Sequence, residues 1–194
     1  MKPRLLDLFC GAGGAAMGYH RAGFDIVGVD IRPQPFYPFP FVQADALAPP
    51  FDVRSFDAIH ASPPCQGYSE VTRRYPDLQA SLPKLIEPVR ELLRSSGRPW
   101  IIENVVGALP AMRSPITICG RAMGLPSLRR HRLFESNMAL LSPGCACRFA
   151  SSGVTIGVYG KFDGRVLNSR SRRSRAARGI TQAQEAMGMN WADA

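Results

Sequence analysis

The chain opens on an apolar run that passes straight into glycines. Arg4-Leu5-Leu6-Asp7-Leu8-Phe9 is followed at once by Cys10-Gly11-Ala12-Gly13-Gly14-Ala15-Ala16-Met17-Gly18. The first six residues read as a buried strand. The glycines read as a tight turn, and Ala15 to Arg21 as the start of a helix. Gly11 and Gly13, with Ala16 in the third small position, satisfy the G-x-G-x-x-G/A spacing, in which missing side chains let the backbone turn sharply and approach a ligand. A second strand, Asp25-Ile26-Val27-Gly28-Val29, ends in Asp30, whose carboxylate can accept from ribose hydroxyls. A strand, a glycine turn and a helix suit both a nicotinamide dinucleotide and S-adenosylmethionine. Close helix packing is the plainer use of such small residues. No Gly-Lys-Ser/Thr follows, so a Walker-type phosphate loop is excluded.

The second informative stretch is Pro63-Pro64-Cys65-Gln66-Gly67-Tyr68-Ser69, directly behind the apolar run Phe56-Asp57-Ala58-Ile59-His60-Ala61-Ser62. Two prolines cannot continue a sheet ladder, so the strand stops and Cys65 is held at a stiff strand-end corner. A structural cysteine more often sits inside the apolar run as a small buried hydrophobe. Its place on the corner makes Cys65 a candidate nucleophile.

The remaining pattern alternates strands and helices. Residues 41 to 43, 56 to 61, Pro99 to Val105, 116 to 119 and 130 to 135 read as strands, and Leu85 to Leu93 carries apolar residues at helical spacing. The segment from Glu70 to Pro83 reads as a polar, mobile loop. Such alternation predicts an α/β fold with a mostly parallel, doubly wound, Rossmann-like sheet, its ligand at the carboxyl ends of the strands.

Four segments, in order, resemble the cytosine-C5 DNA methyltransferases. Asp7-Leu8-Phe9-Cys10-Gly11-Ala12-Gly13-Gly14 is similar to their first motif and Pro63 to Ser69 to their catalytic loop. Glu103-Asn104-Val105 is similar to their Glu-Asn-Val motif, and Arg130-His131-Arg132-Leu133-Phe134 to their Arg-x-Arg motif. The resemblance implies a class I S-adenosylmethionine-dependent fold and methylation of C5 of a cytosine flipped out of double-stranded DNA. It implies a thiolate of Cys65 that adds to C6. Glu103, at the end of an apolar strand where loss of water favours the protonated carboxyl, would serve N3; Asn104 would orient it or brace the loop. Arg132 and Arg130 would contact the base and a phosphate; Leu128 replaces a glutamine usual in that motif.

For the cofactor, the resemblance implies Phe9 and Ile31 near the adenine and the loop of Gly11, Ala12, Gly13 and Gly14 at the methionine part. Asp30 would take the ribose, and Asp45, Ala46 and Pro64 would complete the pocket. Asp45 also reads as a helix N-cap. Gln66, Ser69, Arg73 and Arg74 are expected to meet nucleic acid. The implied organisation is a catalytic part, 1–136, a very short target-recognition and basic-loop region, 137–178, and a C-terminal helix, 179–194. The minimal size is like that of stand-alone enzymes of bacteriophages. Ala183 to Trp191 resembles the segment before the last family motif, which does not follow before Ala194; a cofactor pocket completed in another way is one expectation. RNA cytosine methylation and a non-catalytic nucleic-acid-binding module are the alternatives.

Composition fits this reading. A formal charge of +9 suits a polyanionic partner. Much of it lies at Arg165, Arg170, Arg172, Arg173, Arg175 and Arg178, interleaved with serines, which reads as a flexible loop for phosphates or simply a solvated one. No apolar run approaches a membrane span, and five cysteines, one of them a nucleophile, favour a reducing cytoplasm. No obligatory protein partner is implied. Val154 to Gly160 is hairpin-like. Cys145-Ala146-Cys147 could supply half of a zinc site, but no second pair follows at suitable spacing, Cys119 and His131 are only speculative partners, and no metal is expected.

Overall fold

A computed structural model describes residues 1–147, 155–157, 174–177 and 180–187. Strand β1 (Arg4–Leu8) leads into helix α1 (Gly14–Arg21), then β2 (Asp25–Asp30), β3 (Phe41–Gln43) and β4 (Ala58–Ala61). Helices α2 (Pro76–Ser81) and α3 (Ile86–Ser96) precede β5 (Trp100–Val105), β6 (Ile116–Cys119) and β7 (His131–Ser136). The seven strands form one sheet in the order β3-β2-β1-β4-β5-β7-β6. Neighbours from β3 to β5 are all parallel. At β7 the direction reverses: the amide of Trp100, first in β5, donates to Asn137 Oδ1, and the Trp100 carbonyl accepts from Ser136 Oγ at the far end of β7. The doubly wound, mostly parallel sheet expected from the alternation is therefore present, with β7 inserted between β5 and β6.

The strands form because they are buried on both faces, which parallel strands flanked by helices require. Leu6, Leu8, Val29, Ile59 and Ile102 are completely or almost completely buried, and Ile86, Val89 and Leu93 of α3 pack with them. Each such side chain contributes about 1.5–3 kcal/mol by leaving water. Arg90 of α3 is also buried. Its guanidinium donates to both oxygens of Glu135 on β7 (2.5 and 2.9 Å), to the Ala111 carbonyl at 2.7 Å and to Glu87. The fork geometry satisfies a charge that would otherwise be costly to bury.

A second apolar cluster gathers under β1 and β2 around Leu5, Ala16, Ile26 and Tyr37. The Pro- and Phe-rich loop from Arg32 to Pro40 covers the core here. Tyr37 lies flat over Gly28, where an added Cβ would sit 2.4 Å from its ring, and beside Gly13, where one would sit 3.1 Å away and only 2.9 Å from Pro38. Gly13 is also the N-cap of α1 at φ 85°. Both positions need glycine for room, and Gly13 needs it for conformation as well.

The chain divides into two compact units. One comprises Met1–Ile116 with Leu133–Leu140, the other Thr117–Arg132 with Leu141–Ala194. The segment holding Arg130 and Arg132 thus groups with the C-terminal part of the chain. Three local expectations are corrected. Glu70 to Pro83 contains a 3₁₀ turn, Thr72–Arg74, and helix α2, because Pro76 pre-sets the first helical turn. The segment after Asp45 is a turn and not a helix; Leu47 N–H donates to Asp45 Oδ1 at 2.9 Å, an Asx-turn. The hairpin-like run gives strand β8 (Thr155–Gly157), which pairs in parallel with β9 (Ser174–Ala176) and so is not half of a hairpin with it. Arg175 thereby falls in a strand and not in an irregular loop. A last helix, α4, spans Ile180–Met187. Among the described residues no helix is long and apolar enough to cross a membrane.

Candidate active site

The chain leaves β1 outward to β2 and β3 and returns to β4 on the other side, so the winding reverses between β1 and β4. A crevice for ligands opens at the carboxyl ends of the strands at such a point. The Gly11 loop and the Pro63-Pro64-Cys65 corner both emerge there, and Ser62 N–H donates to the Leu8 carbonyl at 3.1 Å, joining the two strand ends.

On the β1 side, Phe9 is half-buried and adopts φ 57°, a left-handed conformation that a bulky residue seldom takes. Strain of about 1–3 kcal/mol of this kind concentrates at functional loops. Gly11 and Gly14 face open space, since an added Cβ would meet nothing within 4 Å. Asp30, at the end of β2, accepts from Gly11 N–H at 3.1 Å on one oxygen and from Arg32 N–H at 3.0 Å on the other. The carboxylate sets the shape of the loop, and each oxygen keeps a lone pair for a further donor. Ile31 beside it is exposed, as is Ala12; Ala46 is buried beneath the Asp45 turn.

On the β4 side, Cys65 is half-buried at φ −89°, ψ −7°, and its carbonyl accepts from Tyr68 N–H to close a 3₁₀ turn over Gln66–Tyr68. Asn104, buried in β5, donates through Nδ2 to the Pro63 carbonyl at 3.0 Å and accepts from Val105 N–H at 2.9 Å. Of the two roles open to Asn104, the bracing one is observed. It ties the Cys65 corner to the strand end that carries Glu103, which is half-buried. Thr72 Oγ1 donates to the Gln66 and Ser69 carbonyls (2.6 and 2.9 Å) and Gln79 Nε2 to Ser69, so the downstream loop is folded upon itself. Pro64 is half-buried; Gln66, Arg73 and Arg74 are exposed, with Arg73 paired to Glu70.

Beneath this surface lies a polar layer that the sequence did not single out. Asp7 is buried and accepts from Tyr37 Oη at 3.1 Å. Burial lifts its carboxyl to about 7, with the Asp30 charge adding and the Tyr37 bond opposing. His60, in β4, lies between Tyr19 Oη at 3.1 Å and Ser62 Oγ at 2.9 Å. Burial pushes it down to about 4, so it is neutral. Burial, reinforced by Asp7 and Asp30, also pushes the Cys10 thiol far up. Cys10 is therefore no rival to Cys65 as a nucleophile. A polar residue at an inward strand position, Asp7 or His60 in an apolar run, was the available signal.

Cys65 and Glu103, the residues expected for catalysis, share the first unit with those expected to hold the cofactor and with Arg73 and Arg74. Arg130 and Arg132 belong to the second. Arg130 is half-buried, its carbonyl accepts from Gly120 N–H at 2.8 Å, and its guanidinium contacts Met187 Sδ; Arg132 donates to the His131 carbonyl. Arg165, Arg170, Arg172, Arg173 and Arg178 lie outside the described residues, as do residues 188–194.

Residues 3–113 match the model of the C-5 cytosine-specific DNA methylase family. The chain belongs to that family. A Type II methyltransferase, M.XorII of Xanthomonas oryzae pv. oryzae, is 32% identical over an alignment of 124 residues that covers 55% of this chain and 29% of the relative. Among solved structures, the Dnmt2 methyltransferase of S. pombe covers 88% of this chain and 64% of its own at 17% identity and TM-score 0.48. The methyltransferase EhMeth of Entamoeba histolytica covers 74% and 57% at 16% identity and TM-score 0.48. The chain therefore spans less than a third of the curated relative that it matches.

Proposed function

We propose that the chain is a DNA cytosine-5 methyltransferase that uses S-adenosylmethionine. The observation that carries the reading is the joint placement of Cys65, Glu103 and the open glycine loop at the ends of three neighbouring strands, β4, β5 and β1. The loop fits the cofactor: Gly11 and Gly14 border open space, Asp30 retains acceptor capacity, and exposed Ile31 offers an apolar surface. When bound there, S-adenosylmethionine supplies an electrophilic methyl group.

The residues of the chain do the rest. A stacked cytosine cannot be reached, so the base must leave the duplex. The Cys65 thiolate adds to C6 and places electron density on C5; Glu103 holds a proton at N3 as charge develops there. Once the methyl group has passed to C5 with cleavage of its bond to the donor sulfur, solvent water takes the C5 proton, the Cys65–C6 bond breaks to return the thiolate and restore the C5=C6 double bond, and the N3 proton returns to Glu103. Exposed Arg73 and Arg74, with Gln66 and Ser69 of the same loop, would meet nucleic acid near the extruded base, and the reading assigns further base and phosphate contacts to Arg130, Arg132, Arg170, Arg172, Arg173 and Arg175. The reading takes double-stranded DNA and the methyl donor as partners, calls for no protein partner, and assigns the enzyme to the cytoplasm of a bacterial or phage-infected cell, a reading supported by the likeness to a bacterial Type II methyltransferase.

The test is transfer from radiolabelled S-adenosylmethionine to unmodified duplex DNA, with hydrolysis to nucleosides and mass identification. Label in 5-methylcytosine that disappears in Cys65→Ala, while that variant still binds DNA, is the expected result. Label retained by Cys65→Ala, label confined to RNA, or none from a folded DNA-binding chain overturns the reading.

A further inference from the structure

The second unit contains a feature the methylation reading does not use. Cys119 at the end of β6, His131 at the start of β7, and Cys145 and Cys147 converge, with all four ligand atoms within 4.8 Å of one another. Cys119 Sγ lies 3.6 Å from Cys147 Sγ; His131 Nε2 lies 3.2 Å from Cys145 Sγ and 3.7 Å from Cys147 Sγ. A tetrahedral zinc ion with bonds of about 2.3 Å to sulfur and 2.0 Å to nitrogen separates its ligands by roughly 3.5–3.8 Å. The observed spacings lie close to that. They are far from the roughly 2.05 Å of a disulfide, and all five cysteines are free.

The local backbone assembles the set. Gly120 N–H donates to the Arg130 carbonyl at 2.8 Å, which brings the end of β6 beside the start of β7. Ser142 Oγ donates to the Thr117 carbonyl at 2.6 Å and accepts from Gly144 N–H, which lays the cysteine-bearing segment along β6. Cys147 N–H is directed at Cys145 Sγ at 3.4 Å. Amides aimed at sulfur are the outer hydrogen bonds that orient thiolate ligands. Among the described residues, the apolar core of this unit consists of little more than Leu128 and Ala177, with Leu125 and Met187 against them.

We propose that Cys119, His131, Cys145 and Cys147 hold one structural zinc ion. The four side chains fill a tetrahedron and leave no position for water, so the ion is a staple and not a catalyst. His131 stands between Arg130 and Arg132, and side chains alternate along a strand, so the ion grips one face while both arginines point to the other. The zinc would then fix the strand that presents these arginines. That consequence rests on the proposed function, whereas the binding itself does not.

The experiment is metal analysis of the full chain, purified under reducing conditions without chelator, and of the same protein reloaded with cobalt. About one zinc per chain is expected. Cobalt should give the strong visible bands of a tetrahedral site together with thiolate charge-transfer absorption. Cys145→Ser, at the exposed ligand and so least disruptive of folding, should lose the metal or bind it far more weakly, while Cys65→Ser keeps it. Removing zinc from the unmodified protein with a chelator should speed tryptic cleavage within 117–147 without changing the rest of the digestion pattern. Reduced, folded protein that takes up no zinc, full retention by Cys145→Ser, octahedral cobalt spectra, or a Cys119–Cys147 disulfide would overturn the assignment. None of these measurements depends on DNA or methyl transfer, so failure here is distinguishable from failure of the methylation reading.

Discussion

Cys65 stands on a corner made by neighbours in sequence, whereas Cys119 belongs to a set drawn from three separate segments. The corner needs two prolines behind the thiol, a 3₁₀ turn in front of it and a long-range bond from Asn104. The cluster needs the end of β6, the start of β7 and a later loop to arrive together before any of its side chains has a purpose. The contrast explains why Cys65 stood out in the sequence, whereas Cys119, His131, Cys145 and Cys147 could be named there but not expected to converge on a metal. Local chain stiffness is written in consecutive residues; convergence of ligands depends on strand neighbours that consecutive residues do not specify.

Three measurements can break or sharpen that contrast. The largest effect is expected from Glu103→Gln, which keeps the shape of the corner and removes the acid. Methyl transfer should fall by roughly 10²–10⁴-fold, the range for a lost general acid, with zinc content unchanged. Loss of the metal in this variant would mean that the two regions are not independent.

Next is the pH response of the first unit. Asp7 carries a proton up to about pH 7 in the folded chain, while the unfolded carboxyl releases it near pH 4. Between those values the folded state binds more protons, so the stability contributed by Asp7 declines as pH rises toward 7, by roughly 2–4 kcal/mol over the window. His60 acts in the opposite sense. It is neutral when folded down to about 4 but protonates near pH 6.5 when unfolded, so its contribution declines as pH falls through that interval. Asp7→Asn should be more stable than the parent at pH 8, with the difference shrinking as pH drops, in denaturant titrations followed by circular dichroism. An unchanged difference across pH 5–8 would show that Asp7 is ionised in the fold. The smallest effect is expected from Asn104→Ala. It leaves the buried Pro63 carbonyl without its donor and should cost about 1–3 kcal/mol of stability, lower methyl transfer through a looser corner, and leave zinc in place.

Much of the fold was legible because buried parallel strands read as apolar runs and are closed by glycine or proline. β1, β2, β3 and β5 fall where such runs predict them, with Gly11, Asp30 and Glu103 at the carboxyl ends of β1, β2 and β5, and Cys65 follows the carboxyl end of β4. The insertion of β7 between β5 and β6 was not legible, since no pattern in His131–Ser136 names its neighbours. Nor was α2, whose polar sequence folds through Pro76 and its bonds to Ser69 and Thr72 rather than through an apolar stripe. Asp7 and Asn104 appeared as members of motifs, but their work, a buried proton and a brace across two strands, is visible only once Tyr37 and Pro63 are seen to face them.

Tyr37 has a consequence for how this sequence can change over generations. Its ring occupies the space that even a methyl group at Gly28 would require, and its hydroxyl is bonded to Asp7. A lineage cannot enlarge position 28 before shrinking position 37, and shrinking position 37 strands the Asp7 carboxyl. Positions 7, 28 and 37, far apart in the chain, are therefore expected to mutate as a linked set, with every single step between two workable combinations less fit than either end.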